Sequence, residues 1–127
     1  MTKFKKDEKR LYPRVEHALP LKIAANGYDL ATTTQNISCV GAYCHIDKYV
    51  PPFTKIAIKV NLPLRADSKT KICTIECGGV IVRSTDDAAG GFNVAIFFNK
   101  INDAQRKTIS KYISSILPQE LSVPSTN

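Results

Sequence analysis

Two short polar segments carry the residue types best suited to binding chemistry in this sequence. Residues 10–14 (RLYPR) set Arg10 and Arg14 four positions apart, and residues 36–41 (NISCVG) collect an amide, a hydroxyl and a glycine. Pro13 biases the residue before it away from the right-handed helical region, so the first segment is predicted to be extended or turned. The two arginines then flank a bend.

The side chains of these segments suit an anionic ligand that also carries a base. Each guanidinium of Arg10 and Arg14 offers a rigid fork of donors that can clamp a phosphate or read the O6 and N7 acceptors of guanine. Asn36 offers amide donors and a carbonyl, and Ser38 adds a hydroxyl. Gly41 has no Cβ, so it can adopt a positive φ and let a ligand or backbone approach closely. Solvated arginines, an Asx-type turn and a purely structural glycine stay open as alternatives.

Together the two segments resemble the signature of the PilZ domain family, in which RxxxR is followed further along the chain by [DN]xSxxG. Both halves occur here in that order, and the resemblance extends over about residues 9–115. The resemblance implies that the ligand is cyclic di-GMP, whose two phosphates and two guanines suit two arginine forks. The binding residues that it implies are Arg10, Arg14, Asn36, Ser38 and Gly41.

The same resemblance has implications for three positions, Asn36, Lys9 and Arg83. The family often has Asp where this chain has Asn36. If the ligand contact is a carboxylate that accepts guanine protons, this replacement lowers affinity. Lys9 lies where the family is thought to tune how many ligand molecules bind. Arg83 is a secondary candidate for the site, although a surface ion pair is the favoured interpretation.

The resemblance implies a non-enzymatic receptor that passes cyclic di-GMP binding to an unidentified protein partner in a bacterial cytoplasm. Motility, surface adhesion, biofilm formation or virulence is the process that it would control, and no cofactor is expected. The alternative is a type IV pilus assembly adaptor that does not bind the nucleotide, but such members tend to lack the arginine pair. A barrel that binds single-stranded nucleic acid needs stacking aromatics, and five Tyr, five Phe and no Trp supply few.

Composition agrees with a small globular domain that has an anionic partner. The chain has 127 residues and a formal charge of +7, which favours a nucleotide, nucleic acid or anionic lipid. No apolar run approaches the roughly 20 residues that span a bilayer, and no apolar stretch follows the basic N-terminus as in a signal peptide. We therefore expect a cytoplasmic protein without membrane insertion. The phosphate-binding loops of α/β nucleotide enzymes are also missing from the sequence.

The remaining reactive side chains show no pattern of a metal or catalytic site. Four cysteines follow the spacings CxxxxC and CxxxC, which differ from the CxxC of common zinc sites. We interpret them as reduced, buried strand residues: Cys39, Cys44, Cys73 and Cys77. His17 and His45 are expected to pack or hydrogen-bond, and the scattered acids suggest no metal-dependent hydrolysis. No enzyme activity is predicted.

Hydrophobic alternation predicts six strands, over about residues 15–25, 28–34, 42–46, 56–62, 71–82 and 92–98. Turns are expected at Asn26-Gly27 and Gly90-Gly91, a bulge at Gly78-Gly79, and a strand end at Pro63. Asn102 and Gln105 form a capping-box pair for a helix that Pro118 is expected to end.

These elements predict a mainly β fold, a six-stranded antiparallel barrel of the PilZ type with a C-terminal α-helix. Residues 1–8 are predicted to be a flexible basic tail, residues 9–117 the domain, and residues 118–127 a flexible C-terminal tail.

Overall fold

Six antiparallel strands form a closed barrel in the computed structural model, which describes residues 13–25 and 27–121. A single α-helix follows the last strand in this part of the chain. The predicted mainly β class with a C-terminal helix is confirmed. The barrel order is β1-β2-β3-β6-β5-β4. The elements are β1 (Pro20–Ala25), β2 (Tyr28–Ser38), β3 (Gly41–Ile46), β4 (Lys55–Ala66), β5 (Lys69–Asp86), β6 (Phe92–Lys100) and α1 (Asp103–Leu121).

The barrel interior is filled by every second side chain of the strands. In β1 the burial alternates strictly, with Leu21 and Ile23 inside and Lys22 outside. Opposite them, Ile58 and Val60 of β4 are buried in the same way. Successive strand residues point to opposite faces, so one face of each strand forms the core and the other carries the polar surface. Any ligand site on the strands is therefore on the outer face.

Turns and bulges lie where glycines were predicted to permit them. Gly27 has φ 82°, and Gly90 and Gly91 have φ 109° and 76°, all in the left-handed region. The pairing of β5 with β6 shifts register between Gly78 and Val80, so the predicted bulge is confirmed. These features let the long fifth strand bend around the barrel.

Some predicted strand bounds are wrong. β1 begins at Pro20 and not near Val15. β2 continues to Ser38 rather than stopping near Thr34, so Asn36 and Ser38 belong to a strand and not to a connecting loop. β4 does not end at Pro63 but continues to Ala66, with Pro63 opposite Ile72. The pairing of β4 with β1 ends at Val60, and beyond this residue β4 pairs with β5 alone. A proline is tolerated where one side of a strand needs no donor.

The helix begins at the predicted cap and passes the predicted end. The backbone amide of Asn102 donates to the Gln105 side-chain oxygen at 3.1 Å, and the amide of Gln105 donates to the Asn102 side chain at 2.8 Å. Ile109, Tyr112 and Ile113 are buried against the barrel. The helical backbone runs through Pro118 to Leu121, so the predicted stop is wrong. Proline's fixed φ is compatible with a helix, and the lost donor and the steric cost of the ring fall in the last turns of this helix. Within the described residues, no helix has the length and apolar character needed to cross a membrane.

The cysteines occupy three different environments. Cys44 is a fully buried strand residue, as predicted, whereas Cys39 is buried in the turn after β2 rather than in a strand. Cys73 and Cys77 are only half-buried, and all four thiols are free. Among the described residues, no three His, Cys, Asp or Glu side chains gather into a metal-binding group. Burial raises the pKa of Cys44 from about 9 to about 12 and that of Cys77 to about 11.

The raised pKa of Cys44 predicts a loss of stability at high pH. Between about pH 9 and pH 12 the thiol ionises in the unfolded chain but stays protonated in the folded one. The unfolded state is therefore stabilised relative to the folded state as pH rises. The free energy of unfolding should fall as pH rises, by at most about 1.4 kcal/mol per pH unit for this group. Urea unfolding from pH 8 to 10.5 would measure this slope. The Cys44→Ala variant should be less stable at pH 8 but show a shallower slope, and an equal slope would contradict the prediction.

Candidate functional site

An isolated antiparallel bridge joins the two sequence segments. Val15 and Ile37 exchange backbone hydrogen bonds in both directions, each 3.0 Å long, and both side chains are buried. Extending this antiparallel register by one residue sets Arg14 opposite Ser38. Arg14 is exposed. Arg10 and Lys9 lie outside the described residues, so their place in the site stays a prediction.

Thr34 holds the segment that follows Arg14 against the barrel. Its buried hydroxyl accepts a hydrogen bond from the Leu19 amide at 2.9 Å and donates one to the His17 carbonyl. The Thr34 amide also donates to the Leu19 carbonyl at 2.9 Å. The stretch from Val15 to Leu19 is thus fastened to β2 at both ends, which fixes where the chain enters the site.

Removal of the Thr34 hydroxyl should loosen this attachment. In a Thr34→Val variant of nearly equal shape, the Leu19 amide and the His17 carbonyl lose their buried partner. An unsatisfied buried group costs about 1–3 kcal/mol, and we expect the free energy of unfolding in urea to fall by that amount. The exposed neighbour Thr33, replaced by Val, is the matched control and should stay close to wild type. Equal stability of both variants would show that these hydrogen bonds contribute little.

A β-bulge decides which way Asn36 faces. The register between β2 and β3 shifts between Thr34 and Asn36, leaving Gln35 as the extra residue. Before the bulge, Thr34 pairs with Cys44 and both side chains are buried. After the bulge, Asn36 pairs with Tyr43, and the buried residue is the next one along the strand, Ile37. Without the bulge, the two-residue period would have turned Asn36 inward.

Asn36 and Ser38 have different surroundings on this face. The side-chain oxygen of Asn36 is buried and has no hydrogen-bond partner among the residues described. Ser38 is fully buried, and its hydroxyl accepts a hydrogen bond from the Val40 amide at 3.2 Å. The alternative of a local polar turn therefore describes Ser38 but not Asn36. A direct contact of Ser38 with a ligand stays a prediction.

Gly41 serves the close packing of strands. It begins β3, and its φ is not in the left-handed region, so the freedom of a glycine to adopt a positive φ is not used here. A Cβ at this position would collide with the backbone carbonyl oxygen of Ile96 on β6. The close approach predicted for Gly41 thus exists, but its partner in this structure is backbone.

Arg83 shares the outer face without touching Asn36. Asn36 pairs with Tyr43 on β3, Tyr43 with Ala95 on β6, and Ala95 with Arg83 on β5. Three interstrand spacings place Arg83 about 14 Å from Asn36 along this row. Arg83 is exposed and forms no ion pair with another described residue, so the surface ion pair expected for it is absent from this part of the chain.

Two aromatic residues on this face were missed by the sequence analysis. Tyr43 lies directly across from Asn36, and Phe97 lies across from Gly41, with 47% of its surface exposed. The alternation of apolar residues in β6 could have predicted the exposure of Phe97, because Val94, Ile96 and Phe98 form the buried face of this strand. The face thus combines an arginine, an amide and two aromatic rings.

Both histidines are hydrogen-bonded, as predicted. The His17 Nδ1 atom lies 3.1 Å from the Tyr112 hydroxyl, and the two rings meet edge to face. The His45 Nε2 atom lies 2.7 Å from the Gly90 carbonyl oxygen and 3.6 Å from the Asp87 carboxylate. These contacts fasten α1 and the β5–β6 turn to the barrel.

The described residues form a small closed antiparallel barrel, on which Arg14 is exposed and Asn36 is half-buried. The sequence matches the model of the PilZ domain over residues 8–115. The chain belongs to the PilZ domain family, as the two short segments indicated. No curated protein matches the sequence.

Two solved structures have the same fold. The Bacillus subtilis inhibitor of motility, MotI/DgrA, superposes with a TM-score of 0.70 at 17% identity, over 90% of this chain and 52% of that one. The PilZ domain of YcgR from Escherichia coli, solved with c-di-GMP, has a TM-score of 0.60 at 12% identity, over 94% of this chain and 99% of that one. The chain spans about half the length of the MotI/DgrA chain. At such identities the likeness concerns the fold.

Proposed function

We propose that this PilZ domain is a receptor that binds cyclic di-GMP on the outer face of β2, β3 and β6. Arg10 and Arg14 clamp the ligand, Asn36 contacts a guanine, and Ser38 and Gly41 shape the turn below it. Binding is passed on to a protein partner in the cytoplasm. Control of motility, biofilm formation or virulence is the proposed outcome.

The bridge between Val15 and Ile37 is the observation that carries this proposal. It brings Arg14 beside residues 36–38, although the two segments are far apart in the sequence. An exposed guanidinium is free to form charge-assisted hydrogen bonds to a phosphate. Family membership and the YcgR PilZ structure solved with c-di-GMP support the choice of ligand.

The buried side-chain oxygen of Asn36, which has no hydrogen-bond partner among the described residues, supports a base contact. A buried acceptor without a partner costs free energy, and a guanine N1 or N2 proton would supply the missing donor. The nearby rings of Tyr43 and Phe97 offer apolar surface on which a base can stack. The polar contact would thus orient the base, and the rings would exclude water from it.

The domain is proposed to act by binding, without chemical change to the ligand. Both imidazoles are engaged in structural hydrogen bonds, with Tyr112 and with the Gly90 carbonyl. No activated nucleophile lies beside a base on the described part of the outer face. The proposed output is a changed surface that a partner reads.

Isothermal titration of the protein with cyclic di-GMP, GTP and a short single-stranded oligonucleotide tests the proposal. We expect saturable binding of cyclic di-GMP and much weaker binding of GTP, because GTP presents a single guanine. Binding of none of the three would favour the pilus assembly adaptor instead. Binding of the oligonucleotide alone would favour a nucleic-acid-binding barrel.

A further inference from the structure

A basic groove crosses the barrel on the side away from the proposed ligand site. It encloses about 900 Å³ and is lined by residues of β1, β2, β4, β5 and the end of β6. The proposed ligand face lies on β2, β3 and β6 and centres on β3, whereas this groove centres on β1 and β4, and β4 is opposite β3 in the closed barrel. We define the basic groove by its floor, Ala24, Ala57 and Gly78, and its lysines, Lys22, Lys55, Lys59 and Lys100.

The floor of the basic groove consists of small side chains in register. Ala24 pairs with Ala57, and Ala57 pairs with Gly78. Asp29 and Lys100 continue this row at its two ends. Because these small residues point outward, an approaching segment can come close to the barrel wall.

The charges around the floor are mainly positive. Lys22 and Lys59 form the neighbouring row, and all four lysines are exposed. Two carboxylates also line the groove, Asp29 and Glu76, and Glu76 lies 3.8 Å from the Lys59 ammonium. The surplus of two positive charges fits a partner that is acidic overall and has a basic residue to meet Asp29.

The groove fits a helix better than a strand or a nucleic acid. Ala24 and Ala57 lie on strands that are paired on both sides here, so an incoming strand finds no free edge. A helix satisfies its own backbone and packs through side chains. The described lining contains no aromatic ring on which bases could stack. Four interstrand spacings from Asp29 to Lys100 span about 19 Å, the length of roughly 13 helical residues.

We infer that the basic groove is the docking surface for an acidic helix of a protein partner. The inference deepens the proposed function, on which it rests for the existence of a protein partner. It separates the two tasks of the domain, with messenger binding on one wall of the barrel and partner binding on the opposite wall.

The test is a nuclear magnetic resonance titration of the full chain with a synthetic helical peptide. An alanine-based peptide of about 15 residues with glutamates along one face is compared with its glutamine counterpart. We expect salt-sensitive binding that shifts the amide signals of Lys22, Ala24 and Ala57. The glutamine peptide should bind at least about tenfold more weakly.

Two kinds of variant test separately how the charge and the shape of the basic groove contribute to peptide binding. Lys22→Glu with Lys59→Glu should weaken peptide binding by at least about tenfold, whereas Lys69→Glu with Lys71→Glu, an equal charge change at the β4–β5 hairpin, should not. Ala57→Gln fills the floor without adding charge and should also weaken binding. Unchanged affinity in the Lys22 and Lys59 variant, peptide shifts confined to the Asn36 face, or groove binding of an oligonucleotide instead of the peptide would overturn the inference.

Titration of the same proteins with cyclic di-GMP distinguishes failure of the inferred docking groove from failure of the proposed function. The Lys22 and Lys59 variant should bind cyclic di-GMP as the wild type does. A wild type that binds the peptide in the groove but not cyclic di-GMP would overturn the proposed messenger and support the groove. A wild type that binds cyclic di-GMP but not the peptide would overturn the groove alone.

Discussion

We expect an Arg14→Ala variant to bind cyclic di-GMP about tenfold to a hundredfold more weakly than the wild type. A hydrogen bond to a charged group contributes roughly 1.5–3 kcal/mol, which corresponds to that range of affinity. Arg14 is exposed beside the Val15–Ile37 bridge, so its removal leaves the core unchanged. Isothermal titration of both proteins measures the effect. Arg10→Ala is proposed to have an effect of similar size.

Two further substitutions separate the guanidinium fork from its charge. Arg14→Lys keeps the charge but loses the planar fork, so it should recover only part of the affinity. Arg65→Ala removes another exposed arginine near the end of β4, away from the proposed site, and should bind as the wild type does. Wild-type affinity in Arg14→Ala would remove this residue from the site. Equal losses in Arg14→Ala and Arg65→Ala would indicate a general charge effect.

A Gly41→Ala variant should be strongly destabilised, by about 3 kcal/mol. The new Cβ would collide with the carbonyl oxygen of Ile96, a backbone atom held in the β3–β6 ladder. Overpacking of a rigid region costs about 1–3 kcal/mol, and here β3 and β6 must separate to accommodate the methyl group. Urea unfolding monitored by circular dichroism measures the loss.

Gly78→Ala is the matched control, because Gly78 is also a strand glycine with an ordinary φ. Its Cβ would meet the Lys100 Cβ at 3.0 Å, a tight contact that a shift of about a few tenths of an ångström relieves, whereas the Cβ at position 41 would overlap the Ile96 carbonyl oxygen. We expect a change of about 1 kcal/mol or less. Equal stability of Gly41→Ala and wild type would contradict a structural role for Gly41. Cyclic di-GMP affinity, measured where Gly41→Ala is folded, then shows whether the glycine also serves the ligand.

Local pattern was sufficient to predict the elements of this fold. Alternation of apolar residues in β1, β4 and β6 reflects the two-residue period of a strand with one buried face. The capping pair of Asn102 and Gln105 is satisfied within four residues of chain, so no distant partner is needed to predict it. Strand ends were predicted less well, because Pro63 is tolerated only where β1 no longer pairs with β4.

The candidate site also has some features that the sequence predicts and others that only the tertiary structure decides. The residue types that suit a phosphate and a guanine, Arg14 and Asn36, are properties of the sequence and predicted the family. Only the tertiary structure decided that a bridge at Val15 and Ile37 would bring the two segments together and that the bulge at Gln35 would turn Asn36 away from the core. A bulge shifts which residues face out, and it depends on the pairing of two strands.

The outer row from Asn36 through Tyr43 and Ala95 to Arg83, and the basic groove behind it, likewise depend on the closure of the barrel. Closure brings together residues that are distant in sequence, because the hydrogen-bond ladders must be complete around the whole ring. The chemistry of each side chain can therefore be read along the chain, whereas its neighbours on the surface are set by the register between strands.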